Sequence, residues 1–261
     1  MGLTAKILII VTFMAMLVSG IIGAYLYYSY VSPVERLADT GKLSLEEVLD
    51  KVSYIEYKET VNESTYIFKV SNNPGDNTGL IEAYTGNGTL LYKLEYKYNG
   101  DLLSEVYKIY PNGSREEVNP RVYEPDFKTS IHLRVAGRSA NVSPSAGVGP
   151  VYMIYYLTDE LDIDWKAATS PRGGVVSQVV SINIIPGEVD FLGERVRGTI
   201  LSITPVNPLF SPTIWGMPEY SIYLANLDGI VVSPKYRMVL TLQAGEYIVD
   251  VELVNIQLAE G

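Results

Sequence analysis

Residues 7–31 form an uninterrupted apolar run that constrains this chain more than any other feature. The run reads ILIIVTFMAMLVSGIIGAYLYYSYV and contains no charged side chain, with Lys6 before it and Glu35 and Arg36 after it. An α-helix rises about 1.5 Å per residue and a bilayer core is about 30 Å thick, so roughly 20 apolar residues span a membrane. The run is long enough to predict a transmembrane helix over residues 7–31.

The flanks of this run predict which side of the membrane carries the rest of the chain. Residues 1–6 contain Lys6 and no acidic residue, and positively charged flanks stay in the cytoplasm. We therefore expect a cytoplasmic N-terminus, a single pass through the plasma membrane, and an extracytoplasmic bulk. Four N-x-S/T sequons, which accept N-linked glycans in exported chains, agree with this orientation and predict a glycoprotein; they begin at Asn62, Asn87, Asn112 and Asn141.

Two other fates of the apolar run stay open. A cleaved signal peptide has an apolar region of about 7–15 residues before a small-residue cleavage site, which residues 18–20 (VSG) could supply. A type IV pilin leader is the other, although residues 4–6 (TAK) resemble its cleavage region only loosely. Because the run continues past Gly20 into a tyrosine-rich stretch typical of a membrane interface, we predict a retained anchor.

Small residues within the run bear on assembly. Ser19 and Gly23, and Gly20 and Ala24, stand four positions apart, a spacing that lets membrane helices pack closely. This pattern makes an oligomer through the transmembrane helix an alternative to a monomer.

Composition excludes several classes of protein. The chain has no cysteine, so it can build neither a disulfide scaffold nor a thiolate metal site, and it cannot carry a lipid anchor on a cysteine. Its net charge is −10, and Lys6 is the only charged side chain in the N-terminal tail, so the predicted ectodomain is acidic. An acidic surface argues against binding nucleic acid and against docking on an anionic membrane surface.

The pattern after residue 43 predicts one short amphipathic helix and then antiparallel strands. Leu45, Val48, Leu49 and Val52 follow helical spacing, and Ser44 with Glu47 forms a capping box. From residue 54 to residue 110, apolar and polar residues alternate between Asn-Gly turns, a strong hairpin signal. In residues 89–98 one face collects Leu90, Tyr92, Leu94, Tyr96 and Tyr98, and the other collects Lys93, Glu95 and Lys97.

Further strands are expected at 130–135, 151–157, 175–185, 194–203, 220–225, 235–242 and 247–258, with a hairpin turn at Pro186 and Gly187. The predicted fold class is mainly β (α+β): a transmembrane helix, a short amphipathic helix and a large antiparallel sheet or half-barrel. The predicted divisions are a tail (1–6), the transmembrane helix (7–31), a helix with a β-meander (32–138), a loop or linker (139–150) and a second β-rich part (151–261). Whether both β-rich parts share one sheet or form two subdomains stays open.

The order of these elements resembles the LolA/LppX-like family of extracytoplasmic lipoprotein carriers. The resemblance covers residues 44–110 and 189–258, where a helix precedes a meander and the closing strands carry an acidic-Gly turn at Asp228 and Gly229, then Lys235, then a hairpin at Ala244 and Gly245. It implies a half-open sheet wrapped on a helix, whose concave face holds an acyl chain or another protein. The chain departs from the family in lacking the lipid-attachment cysteine and in keeping an anchor, which speaks against a shuttle role.

Residues that could carry chemistry are few, and no catalytic or cofactor-binding set emerges. His132 is the only histidine, so a histidine-rich metal site is excluded, and we expect it to be a structural or surface residue. The densest acidic run, with Asp159, Glu160, Asp162 and Asp164, is a weak candidate for a Ca²⁺ site, but it lacks the ligand order of a calcium loop. A solvated acidic loop is its alternative, and no metal or cofactor is predicted.

These observations favour a membrane-anchored, extracytoplasmic β-rich module of the cell envelope that is not an enzyme. Its expected partners are the lipid bilayer and either a hydrophobic ligand or a protein. The alternative is a structural subunit of a surface assembly, such as a pilin-like filament or an envelope complex.

Overall fold

A computed structural model describes residues 3–27, 45–61, 63–99, 102–119, 180–205, 219–242 and 245–259. Helix α1 spans Leu3–Leu26, and within it Ile7–Leu26 is long and apolar enough to cross a membrane, with none of that stretch buried. The apolar helix is thus compatible with a single-pass anchor or a signal sequence. Residues 28–31 of the predicted span lie outside the described residues.

A second helix, α2, spans Leu45–Leu49 and confirms the predicted short amphipathic helix in a shorter form. Val48 and Leu49 are fully buried, while Glu47 and Asp50 are exposed. The helix ends where the amide of Lys51 donates to the carbonyl of Val48 (3.2 Å), and the chain then enters the first strand. Val52, which was expected on the helix, is the first buried residue of that strand.

The described strands form one antiparallel sheet of eleven strands, which confirms the predicted mainly β class. The first meander contains β1 (Val52–Val61), β2 (Ser64–Asn73), β3 (Thr78–Thr85), β4 (Leu90–Asn99), β5 (Leu102–Ile109) and β6 (Arg115–Val118). The second contains β7 (Val180–Phe191), β8 (Glu194–Pro205), β9 (Glu219–Leu227), β10 (Ile230–Leu242) and β11 (Gly245–Leu258). The strand order is β6-β5-β4-β3-β2-β1-β11-β10-β9-β8-β7.

The two meanders join through their first and last strands. Strand β1 pairs with β11 from Val52 opposite Leu258 to Val61 opposite Val249. Both β-rich parts of the chain therefore contribute to one sheet, and their buried side chains form one hydrophobic cluster. The predicted domain bounds themselves stay predictions.

One face of the sheet is packed and the other is open to solvent. Buried residues alternate with exposed or half-buried ones over residues 55–61 of β1, 68–72 of β2 and 94–98 of β4, as expected for a sheet with one dry face. The packed face holds Tyr57 stacked on Phe68, with ring centroids 5.1 Å apart, at the level of the β1–β2 pairing. The opposite, solvent-facing side carries most of the charged residues of the first meander, whereas Glu59 of β1 is buried on the packed face.

Two details of the predicted register are wrong. The turn expected at Pro186 and Gly187 lies instead at Leu192 and Gly193, which have φ angles of 53° and 88°. Pro186 stays inside β7 opposite Thr199, a position that proline tolerates because β7 is an edge strand of the sheet. Leu90 pairs with Tyr84 because a bulge at Leu91 shifts the register, so Leu91 takes the core-facing place that alternation had assigned to Leu90.

Candidate functional site

A groove of about 550 Å³ lies across the first meander, from the β2–β3 turn to the start of β6. Most of its lining side chains stand on β2 to β6 at positions that alternate with the buried ones, so they face away from the core. The lining residues are Ser71, Asn72, Asn73, Thr78, Gly79, Leu80, Glu95, Tyr96, Lys97, Glu105, Tyr107 and Arg115. We call this cavity the charged groove.

Four charged side chains form the wall of the charged groove, and their charges cancel. Arg115 Nη2 lies 2.8 Å from Glu95 Oε2, and Lys97 Nζ lies 3.1 Å from Glu105 Oε2. All four side chains are 42–54% exposed, and exposed ion pairs add little to stability. These pairs can therefore exchange their partners for ligand groups at small cost.

Tyr107 gives the groove an aromatic surface. The Arg115 guanidinium carbon lies 4.0 Å from the centroid of the Tyr107 ring, within the range of a cation–π contact. Glu95 sits opposite Tyr107 in the β4–β5 pairing, so Arg115 is held by the ring and by the carboxylate together. This arrangement places a planar donor in the lining of the groove.

The floor of the groove depends on a buried polar chain of contacts. The Tyr96 ring lies over Gly79 and occupies the space where a Cβ of residue 79 would stand. The Tyr96 hydroxyl donates a hydrogen bond to Asn72 Oδ1, and Asn72 Nδ2 donates to the carbonyl of Val52 (2.9 Å). Burial raises the pKa of Tyr96 well above its usual value, so its hydroxyl keeps its proton and keeps donating.

Beyond the groove, the same solvent-facing side carries a row of alternating charges across four strands. Glu56, Lys69, Glu82 and Lys93 are successive cross-strand neighbours on β1 to β4. Lys69 lies 3.8 Å from Glu56, and Lys93 lies 2.5 Å from Glu82. Opposite charges on facing strands support the register and prevent like charges from meeting.

Of the candidate site residues named from the sequence, which are the four sequon asparagines, His132 and the acidic run, the structure describes only Asn87 and Asn112. Both are exposed in hairpin turns, between β3 and β4 and between β5 and β6. Asn62, Asn141, His132 and the acidic residues Asp159, Glu160, Asp162 and Asp164 lie outside the described residues. Within the described ranges, no three Asp, Glu or His residues are grouped to hold a metal ion.

Sequence reasoning placed Glu95 and Lys97 on the polar face but did not identify the groove. The groove depends on which residues of β4, β5 and β6 stand side by side, and this register is not visible in any one strand. Asn72 continues the alternation of the buried residues Phe68 and Val70 onto the packed face. The sequence signal for this position was an asparagine placed two residues after Val70, in the row of alternate residues that face the core.

Comparisons with known proteins add little to this geometry. No protein-family profile matches the chain, and no curated protein matches it in sequence. Among solved structures it is similar to an uncharacterized conserved protein from Thermus thermophilus, with 11% identity, 87% of this chain and 88% of that chain covered, and a TM-score of 0.40.

A second solved structure is the beta-barrel-like protein of domain of unknown function DUF1849 from Brucella abortus. It shows 11% identity over 76% of this chain and 74% of that chain, with a TM-score of 0.29. The specific resemblance to LolA stays a prediction.

Proposed function

We propose that this protein is a single-pass, membrane-anchored, extracytoplasmic module that is not an enzyme and that binds an extended segment of another protein in the charged groove. The observation that carries the proposal is the groove itself, a ligand-sized cavity whose wall alternates between acidic and basic side chains. The apolar helix Ile7–Leu26 supplies the anchor. The positive charge of Lys6 just before this apolar stretch supports a cytoplasmic N-terminus, because positively charged flanks stay in the cytoplasm.

The charges of the groove favour a protein segment over an acyl chain. Glu95, Lys97, Glu105 and Arg115 would lose water against a hydrocarbon and gain no partner in return. Side chains of an extended peptide point to the same side at every second residue, about 7 Å apart, which matches the spacing of Glu95 and Lys97 along β4. The expected ligand carries one basic and one acidic side chain two positions apart.

The orientation is tested with cysteines, because the chain has none of its own. A membrane-impermeant maleimide applied to intact cells should label Asn87→Cys, which lies in an exposed turn, and should leave Thr4→Cys unlabelled until the cells are opened. Labelling of Thr4→Cys alone in intact cells would reverse the proposed topology.

Binding is tested by photo-crosslinking in native membranes. Benzoylphenylalanine replaces Ser71 in the groove, and Ser221 serves as the control because it is an exposed serine on the same side of the sheet, on β9. A protein adduct at position 71 and none at position 221 supports the proposal. A lipid adduct would assign a hydrophobic ligand instead, an adduct between two copies would favour a surface assembly, and equal adducts at both positions would refute a specific site.

The charge pattern is tested on the purified full-length protein in detergent by fluorescence anisotropy. A labelled peptide with lysine and glutamate two positions apart should bind more tightly than peptides with two lysines or two glutamates at those positions. Glu95→Lys combined with Lys97→Glu keeps the net charge but gives Arg115 and Glu105 neighbours of their own charge, which should weaken binding. Equal binding of all three peptides would contradict the proposed chemistry.

A further inference from the structure

Arg115 contacts two residues that do not stand opposite it in the sheet. Its Cα partner on β5 is Ile109, whereas Tyr107 and Glu95 face each other two positions away on β5 and β4. The Arg115 side chain nevertheless places Cζ 4.0 Å from the centroid of the Tyr107 ring and Nη2 2.8 Å from Glu95 Oε2. The register of the sheet does not require these contacts, so the side chain can leave them while β6 stays paired with β5.

Glu95 stands between two partly apolar neighbours. Leu80 on β3 and Tyr107 on β5 are its cross-strand partners, and both are half-buried. We call these three residues the Glu95 subsite. A guanidinium group finds there a carboxylate for its planar donors and a ring to lie on, whereas the compact ammonium group of a lysine uses mainly the charge. The chemistry of the Glu95 subsite therefore suits arginine better than lysine.

The two carboxylates of the charged groove differ in how fully they are used. Lys97 Nζ lies 3.2 Å from Oε1 and 3.1 Å from Oε2 of Glu105, so it contacts both oxygens. Arg115 donates from Nη2 to Oε2 of Glu95, and among the described residues no donor reaches Oε1 of that carboxylate. A second guanidinium group that used both oxygens would form a bidentate pair, which is stronger than a single bond.

We propose that the Glu95 subsite binds an arginine side chain of the ligand and that Arg115 occupies this subsite in the free protein as an intramolecular substitute. The proposal rests on the proposed function, because it names the basic residue of the segment bound in the charged groove. Binding releases Arg115 to solvent. The side chains of Arg115 and Glu95 are 54% and 45% exposed, so breaking their ion pair costs little.

Removal of Arg115 should strengthen binding, although Arg115 lines the groove. Fluorescence anisotropy of the full-length protein in detergent compares Arg115→Ala with the wild type, using peptides that carry arginine and glutamate, or lysine and glutamate, two positions apart. The arginine peptide should bind to Arg115→Ala roughly fivefold more tightly, because a weakly held competitor has been removed. Unchanged or weaker binding of the arginine peptide would overturn the proposal.

The Arg115→Ala variant keeps the other contacts of β6. The β5–β6 pairing remains, and so does the hydrogen bond from the Tyr110 hydroxyl to Glu116 Oε2 (2.9 Å). Lys97→Ala is the matched control, since it removes one positive charge from the same wall and leaves Arg115 on Glu95. An equal gain for the arginine peptide in both variants would assign the effect to net charge and refute the competition.

The aromatic ring is tested in the variant that lacks Arg115. Tyr107→Leu combined with Arg115→Ala keeps an apolar side chain beside Glu95 but removes the ring. The arginine peptide should then lose its advantage over the lysine peptide, because the flat surface for the guanidinium group is gone. An advantage of the same size without the ring would contradict the role of Tyr107 in the subsite.

A small probe separates this proposal from the proposed function. Saturation-transfer NMR should detect Nα-acetyl-L-arginine methylamide on full-length Arg115→Ala but not on Arg115→Ala combined with Glu95→Gln, and the lysine analogue should bind more weakly. If the probe binds in this way and no peptide does, the subsite stands and the peptide-binding function fails. If the peptides bind without preferring arginine and the probe does not bind, the proposed function stands and the subsite is refuted.

Discussion

Gly79 and Tyr96 show how one missing side chain shapes the groove. The Tyr96 ring occupies the position of an absent Cβ, which brings its hydroxyl to Asn72 and ties β4 to β2 across β3. Asn72 Nδ2 in turn donates a hydrogen bond to the backbone carbonyl of Val52 on β1. The four neighbouring strands β1 to β4 are thus also held together by side-chain contacts on the packed face of the sheet.

Gly79→Ala should lower the free energy of unfolding by about 1–3 kcal/mol, because the ring must move and overpacking a core costs that much. Gly187→Ala is the matched control, since its Cβ would meet only Ile200 Cδ1 at 3.7 Å, an ordinary contact. Urea denaturation followed by circular dichroism measures both variants. Equal losses in the two would contradict the role assigned to the Tyr96 ring.

Buried tyrosines make the protein sensitive to alkaline pH. Burial, and then the hydrogen bond from its hydroxyl to Glu56, raise the pKa of Tyr54 to about 12, and burial also raises the pKa values of Tyr96 and Tyr220. An unfolded tyrosine titrates near pH 10, so the stabilisation is complete below that pH and is lost as the pH rises through 10 to 12. Urea midpoints should therefore fall above pH 10, and less so in Tyr220→Phe. Midpoints that stay constant to pH 12 would contradict these assignments.

The hairpin turns show which elements the sequence predicts well. The Asn-Gly signals at residues 87–88 and 112–113 predicted turns that the structure confirms, because positive φ at glycine is a local requirement. Pro186 misled the prediction because proline is tolerated on an edge strand, and edge position is a property of the whole sheet. The bulge at Leu91 was equally invisible, since it depends on the partner strand.

Gly88→Ala and Gly113→Ala should each destabilise the sheet by about 1 kcal/mol, because an L-residue resists the left-handed region. The similar geometry of the two turns predicts losses of similar size. Gly75→Ala is the control, as its φ is not positive and its Cβ would lie 3.8 Å from Asn73 Oδ1. Chemical denaturation of the three variants gives the comparison, and a loss in Gly75→Ala equal to the others would weaken the argument from φ.

At the scale of the whole molecule, the order of the strands in the sheet could not be predicted from the sequence. The alternation of apolar and polar residues predicts individual strands and the hairpins between consecutive strands. The β1–β11 pairing, however, joins residues about two hundred positions apart, such as Val52 and Leu258. The charged groove could not be predicted for the same reason. Its charged side chains come from three strands, β4, β5 and β6, and only the register between these strands brings them together. The sequence could predict that Glu95 and Lys97 face solvent, but not which residues stand beside them.

A cysteine pair tests the central pairing. Lys58 and Glu252 are exposed Cα partners on β1 and β11, so Lys58→Cys with Glu252→Cys should form a disulfide on oxidation. Closing so long a loop should stabilise the protein by about 4–5 kcal/mol. Lys58→Cys with Lys235→Cys is the control, because β10 lies one strand further away, beyond the reach of a disulfide. Mobility on a non-reducing gel reports the bond, and bonding in the control pair alone would refute the strand order.

The central place of β1 also decides how the molecule carries mechanical load. In the proposed membrane-anchored arrangement, a pull between α1 and a ligand in the charged groove would enter the sheet at Val52, the first residue of β1. That strand is ten residues long and is hydrogen-bonded on both sides, to β2 and to β11. Force along its axis therefore shears two full ladders at once instead of peeling an edge strand one bond at a time. A tether attached in this way resists extension better than one attached at β6 or β7.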